Sequence, residues 1–166
     1  MRSLTFDDID PLWEEMAAIE PDQVPELMHH IGEVQPHVVS YLLGINDDIL
    51  SDPEREMVFY LGVIIWRILD RIGFRYDEIS LDTLLEKEET NFKMLEYLAG
   101  EPDAEFTGTV GRIMDNYNQS ELLRYIIDRI IQEPLNDAEM VDDHVGIMVI
   151  YLKTFIDCFD AAAHQT

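Results

Sequence analysis

Residues 52–73 form the stretch that most constrains the fold of this chain. No charged residue occurs between Met57 and Trp66, and apolar side chains would lie around most of the circumference of a helix built from this segment. A helix of that kind belongs at the centre of a bundle. The uncharged run is about half the ~20 residues that a membrane span requires. We therefore predict a core helix over about residues 52–72.

Both ends of this helix have local signals. Ser51 is followed three residues later by Glu54, which is the spacing of a capping box. Pro53 suits the first turn of a helix, and Gly73 suits the left-handed conformation that often follows the last turn. The boundaries are therefore predicted independently of the apolar pattern.

One narrow line along the predicted helix could face water. Its members follow one another in steps of three and four residues and so share a face: Glu56, Tyr60, Val63, Arg67 and Arg71. All other positions need to be covered by neighbouring helices or by a partner.

The rest of the chain predicts an all-α fold. A second long apolar helix is expected over about residues 137–163, and shorter helical patterns precede both long ones. We predict a single domain, residues 1–166, in which seven or eight helices form a compact bundle around the two long ones. Over Thr5 to Ile19 we expect one or two helical turns and then a helix, with Asp10 before Pro11 as its cap. We also expect a loop over 73–80. Gly108 and Gly111 interrupt the helical pattern of residues 103–118, so a helix is predicted there from Thr109 through Tyr117.

Two alternatives to a simple bundle follow from the pattern. An offset of 84 residues places Tyr41 on Tyr125 and Gly62 on Gly146, so the chain could consist of two similar halves. Half of that offset is close to the length of a HEAT or armadillo hairpin, so a short stack of helical hairpins is the alternative architecture.

The charge is strongly acidic, with 11 Lys and Arg against 35 Asp and Glu and a net charge of −24. Such a surface repels phosphates, so we expect no binding to nucleic acid or to an anionic membrane. It favours a basic protein partner, although a high charge of one sign also serves solubility alone.

The single cysteine, Cys158, excludes an internal disulfide, and it lies in an apolar pattern typical of a buried thiol. The first residues contain no hydrophobic segment of the signal-peptide type. We therefore expect a cytoplasmic protein.

Two motifs are candidates for a site. Glu26 and His29 have the Glu-x-x-His spacing with which helices of di-iron bundles bind metal, but no second copy of the motif occurs in the chain. Arg67, Arg71 and Arg75 lie at steps of four and could bind an anion, or could simply complement the negative end of a helix dipole.

No set of catalytic residues can be assigned from the sequence. The segment Gly108–Gly111 lacks the lysine of a phosphate-binding loop, and we expect no cofactor. The sequence favours a non-enzymatic protein-interaction module, either an adaptor or a chaperone that neutralises a basic partner, and the chain could also form a homodimer. The alternative is a helical-bundle metal-binding protein or enzyme that uses Glu26 and His29.

Overall fold

The computed structural model describes residues 1–20, 22–45, 48–132 and 142–164. These residues contain eight α-helices and two very short β-strands, and they confirm the predicted compact all-α bundle. The helices are α1 (Phe6–Ala17), α2 (Val24–Val34), α3 (Pro36–Leu43), α4 (Asp52–Arg71), α5 (Leu81–Ala99), α6 (Asp103–Asp115), α7 (Ser120–Gln132) and α8 (Asp142–Ala162).

The central helix is α4, as the sequence predicts. The Ser51 backbone amide and hydroxyl both donate to the Glu54 carboxylate, at 2.8 and 2.9 Å, so the capping box is formed. Gly73, with φ of 85°, takes the left-handed conformation just past the helix. The predicted exposed face is also present, except that Val63 on that face is only 6% exposed.

The second long helix is α8, and it packs most extensively against α5 and α4. Its described part begins at Asp142, so the predicted start near residue 137 lies outside the described residues. Large side chains such as Phe155 and Phe159 are fully buried and form part of one continuous hydrophobic core with Ile64, Ile65 and Ile68 of α4.

Segments far apart in sequence meet in this bundle. The side-chain amide of Gln119 accepts a hydrogen bond from the Leu4 amide at 3.1 Å and donates to Asp160 at 2.8 Å. In a stack of hairpins each unit contacts only its neighbours. The HEAT-like alternative is therefore not the architecture of the described residues.

The first helix differs from its prediction. It begins at Phe6, and its cap is Thr5, whose backbone amide donates to the Asp8 carboxylate at 2.9 Å. The prediction that Asp10 caps the helix is wrong, because Pro11 lies inside the helix. The missing N–H of Pro11 leaves only one carbonyl, that of the exposed Asp7, without its helical partner, and water can solvate it.

The loop predicted over 73–80 contains a short strand. Strand β1 (Arg75–Tyr76) pairs antiparallel with β2 (Ala163–His164), with Arg75 opposite His164. A two-residue strand is too short to produce an alternating pattern, so the sequence could not indicate it.

The predicted helix from Thr109 begins earlier than expected. Helix α6 already starts at Asp103, and it continues through Gly108 and Gly111, where the pattern predicted an interruption. Both glycines have open space around them. They therefore weaken the helical propensity without breaking the helix.

The two glycines aligned by the 84-residue offset have different neighbours. A Cβ atom on Gly62 would lie 2.9 Å from both terminal methyl groups of Leu42 in α3, whereas one on Gly146 would lie 3.3 Å from Leu95 in α5. An exact repeat would place Gly146 against α7, the counterpart of α3. The packing around these glycines therefore does not follow the proposed repeat.

Candidate functional site

A cleft between α1, α2 and α4 gathers several of the residues that the sequence singles out. We call it the arginine cleft and define it by its charged and titratable lining residues, Glu15, Glu26, His30, Arg67 and Arg71. Its volume is about 580 Å³. This lies within the range of small-molecule sites in proteins.

Helix α4 positions both arginines. Arg67 and Arg71 are four residues apart and therefore lie on one face, near the carboxyl end of the helix. The Arg71 guanidinium donates to Glu15 of α1 at 2.6 Å, and the Arg67 guanidinium donates to Asp70 at 3.2 Å. The Glu15–Arg71 pair is about half exposed, so it contributes little to stability and its partners can exchange.

The Arg67 guanidinium also has an unpaired donor. Its Nε atom is buried and has no hydrogen-bond partner within the described residues. Almost all buried polar atoms in proteins are paired, so an exception of this kind calls for an explanation. It is compatible with an arginine that rearranges when something binds.

The floor of the cleft is apolar. Ala18, Ile19 and Leu27 line it together with the charged groups. The His30 ring, at the edge, packs edge-on against Trp66, with 5.4 Å between the ring centroids. Fork-shaped cationic donors beside an apolar surface are suited to binding an oxyanion that carries a hydrocarbon group.

The structure separates the remaining candidates from this cleft. Arg75 is exposed in β1, because the chain turns at Gly73 before reaching it. His29 is 76% exposed, and its Nε2 lies 3.4 Å from the Glu33 carboxylate, whereas Glu26 lines the cleft. Residues 1–20, 22–45, 48–132 and 142–164 contain no group of three or more potential His, Cys, Asp or Glu metal ligands. The metal-binding alternative stays a prediction.

A second concave surface lies between α3 and the start of α4. We call it the acidic groove. It has a volume of about 390 Å³. Its residues combine apolar side chains with a charged rim: Leu42, Leu43, Ile45, Phe59, Asp52, Arg55 and Glu56. Arg55 is bonded to Asp52, so these two charges balance each other, and Glu56 supplies the excess negative charge of the lining.

A buried polar network that the sequence does not predict joins α5 and α8. Lys153, only 8% exposed, donates to Asp157 at 2.7 Å and to the Asn91 carbonyl at 3.0 Å. Asn91 in turn donates to Thr154 and Asp157. The Lys153 ammonium also lies 4.5 Å from the centre of the Tyr117 ring. The Lys153 ammonium and the Asp157 carboxylate therefore each have hydrogen-bond partners, which a buried ion pair requires.

The one available signal for this network was a lysine inside an apolar helix. Asn91 lies 62 residues away from Lys153, so its role could not be read from spacing. Burial, reinforced by the negative charge of Asp157, raises the pKa of the Tyr117 phenol. The phenol is therefore protonated at neutral pH and cannot serve as a base there.

A second long-range polar contact joins the starts of α4 and α8. His144 Nδ1 lies 3.0 Å from the carboxylate of Glu54, which is 3% exposed. Burial alone would raise the pKa of Glu54, but the hydrogen bonds from Ser51 and His144 outweigh it and lower the pKa. The Ser51 hydroxyl donates to the carboxylate and not to the imidazole. The three residues therefore do not form a Ser-His-acid arrangement that would activate serine.

Comparison with protein-family models, characterised proteins and solved structures found no match to this chain. Within the part of the chain that the structure describes, none of the helices combines the length and the apolar character needed to cross a membrane.

Proposed function

We propose that the protein is a non-enzymatic interaction module, an adaptor or chaperone, that binds a basic amphipathic segment of a partner protein in the acidic groove. The observation that carries the proposal is that four apolar side chains and an excess of acidic ones line the same groove. An amphipathic helix binds to such a groove by laying its apolar face on the apolar side chains.

The exposed leucine at the groove supports this proposal. Leu43 is 66% exposed at the end of α3, where a buried position would stabilise the fold more. Phe59 of α4 lines the same groove. A partner helix would cover these side chains and so gain most of its binding free energy from apolar burial.

The negative charge of the protein favours a positively charged partner. Asp52 and Glu56 against Arg55 leave one negative charge in excess in the lining of the groove, and the chain as a whole has a net charge of −24. A positive partner would be attracted from a distance, and like-charged proteins would be repelled. This attraction is screened beyond about 8 Å at physiological ionic strength, so it should depend on salt.

The test uses a fluorescently labelled helical peptide of lysine and leucine in an amphipathic pattern, with a scrambled peptide of the same composition as its control. Binding is measured by anisotropy at low and high salt. We expect the patterned peptide to bind more tightly than the scrambled one and to weaken as salt rises.

Two variants localise the interaction. Leu43→Ser should weaken binding of the patterned peptide by roughly tenfold, because a leucine contact of about 1.5 kcal/mol is lost. Ile131→Ser is the matched control, since Ile131 is 62% exposed on α7 outside the groove. Equal losses in the two variants, or equal binding of the scrambled peptide, would contradict the proposal.

Two further expectations belong to this proposal. A homodimer would bury the same exposed apolar side chains, and sedimentation equilibrium of the wild type and of Leu43→Ser tests whether it forms. We also retain the cytoplasm as the proposed compartment, on the argument from the single cysteine.

A further inference from the structure

We propose that the arginine cleft is a binding site for a small organic acid with one carboxylate and an apolar body. The carboxylate would meet the guanidinium groups of Arg67 and Arg71, and the apolar body would lie on Ile19 and Leu27. This site is separate from the acidic groove, so the proposal does not depend on the proposed function.

Arg67 provides the first argument. One terminal nitrogen is bonded to Asp70, while the buried Nε has no partner within the described residues. An unpaired buried donor is a cost to the ligand-free protein. A change of side-chain rotamer toward a bound carboxylate would relieve that cost and bring the fork of N–H donors to the ligand.

Arg71 provides the second. Its bond to Glu15 is made between two side chains that are each nearly half exposed, so a bound carboxylate can replace Glu15 at little cost. Because Arg67 and Arg71 are one helical turn apart on α4, both can reach a single ligand.

The size and lining of the cleft indicate more than an inorganic ion. A volume of about 580 Å³ exceeds what a carboxylate fills, and Ala18, Ile19 and Leu27 offer apolar surface beside the arginines. Burial of a hydrocarbon chain there would add to the ionic contact.

The local charge favours a monoanion over a dianion. Glu15 and Glu26 line the same cleft as the two arginines, so the positive charge is largely balanced and a phosphate dianion would meet repulsion. The acidic remainder of the protein acts through solvent and is screened beyond about 8 Å at physiological salt. A single carboxylate that takes the place of Glu15 on Arg71 meets less repulsion there than a dianion does.

The experiment titrates the full chain with hexanoate and follows the two tryptophan indole N–H signals by NMR. Neither tryptophan lines the cleft, but Trp66 packs against the lining residue His30. Trp13 packs against Tyr125 instead and serves as an internal reference. A Trp13→Phe variant assigns the signals. We expect a saturable shift of the Trp66 signal with hexanoate and none with hexanol, hexylamine or inorganic phosphate at the same concentration.

Three arginine variants locate the carboxylate. Arg67→Gln and Arg71→Gln should each weaken hexanoate binding by about tenfold, the effect of losing a charge-assisted hydrogen bond. Arg75→Gln is the matched control, because Arg75 belongs to the same basic run and lies outside the cleft. Thermal melts check that each variant is folded, and Arg71→Lys, which keeps the charge without the fork, replaces Arg71→Gln if the latter unfolds.

Several results would overturn the assignment. They are an equal shift with hexanol, tighter binding of phosphate than of hexanoate, or an equal loss of affinity in Arg75→Gln. Leu43→Ser, which alters the acidic groove, should leave hexanoate binding unchanged. This result distinguishes failure of one site from failure of the other.

Discussion

The buried ion pair of Lys153 and Asp157 allows a quantitative test of the fold. Lys153→Met removes the ammonium but keeps a side chain of similar length, and Asp157→Leu removes the carboxylate. Either single change leaves the other charge in a site where the lysine and aspartate side chains are only 10% and 15% exposed. The double variant leaves neither charge.

The expected magnitudes follow from this burial. Removing one partner of a buried ion pair lowers the free energy of unfolding by about 3–5 kcal/mol. Because this pair is partly exposed, each single variant should lose about 3 kcal/mol. The double variant still leaves the Asn91 carbonyl without the lysine it accepts from, which costs about 1–3 kcal/mol. The double change should therefore cost less than the sum of the singles by at least about 2 kcal/mol.

Urea unfolding followed by circular dichroism measures these free energies of unfolding. Thermal melts give a second measurement. For a chain of this size each single variant should lower the midpoint temperature of the melt by about 6–12 °C, at 2–4 °C per kcal/mol. The reasoning would be refuted by single variants that cost less than about 1 kcal/mol, or by a double variant whose cost equals the sum. Either result would mean that the pair is solvated.

Four further predictions test other parts of the structure. Gly62→Ala should be less stable than Gly146→Ala by about 1–2 kcal/mol in urea unfolding, because its new methyl group is overpacked. The pKa of Glu54 is lowered in the folded state, so the ionised carboxylate should stabilise the protein fully at neutral pH, and this stabilisation should be lost as pH falls below about 4.3. Thermal melts of Glu54→Gln at different pH should lack this acid-dependent loss. Burial raises the pKa of Cys158 to about 12, so a thiol reagent should modify it only on unfolding. If the metal-binding alternative holds, metal analysis should find stoichiometric metal that His29→Ala loses.

The helices that the sequence predicted best are those with signals at their own ends. Ser51, Glu54 and Gly73 act within a few residues of the helix they delimit, so α4 could be predicted from local chemistry. The cap predicted at Asp10 lies too late in the chain, because a proline suits the first turn of a helix but Pro11 lies inside α1. The Thr5–Asp8 cap was present in the sequence and has the stronger physical effect.

The polar contacts could not be predicted, because they join distant segments. His144 and Glu54 are 90 residues apart, and Lys153 and Asn91 are 62 apart. Each residue was visible as a polar group in or near an apolar stretch, but its partner depends on how the helices pack. The arginine cleft could be predicted in part. Helical spacing predicted that Arg67 and Arg71 lie together, but only the packing of α1 and α2 showed which residues surround them.

The two concave surfaces lie toward opposite ends of the same helix. Asp52 and Glu56 belong to the amino end of α4, and Arg67 and Arg71 belong to its carboxyl end. Along the helix axis about 17 Å separates Glu56 from Arg67, at 1.5 Å per residue. Asp52 in the first turn and Arg71 in the last turn each interact favourably with the helix dipole, by about 0.3–1 kcal/mol. Both proposals use this distribution, one for a basic segment at the acidic groove and the other for an organic acid at the arginine cleft. Charge variants at either surface will therefore change both stability and binding, so affinity has to be measured at temperatures where each variant is fully folded.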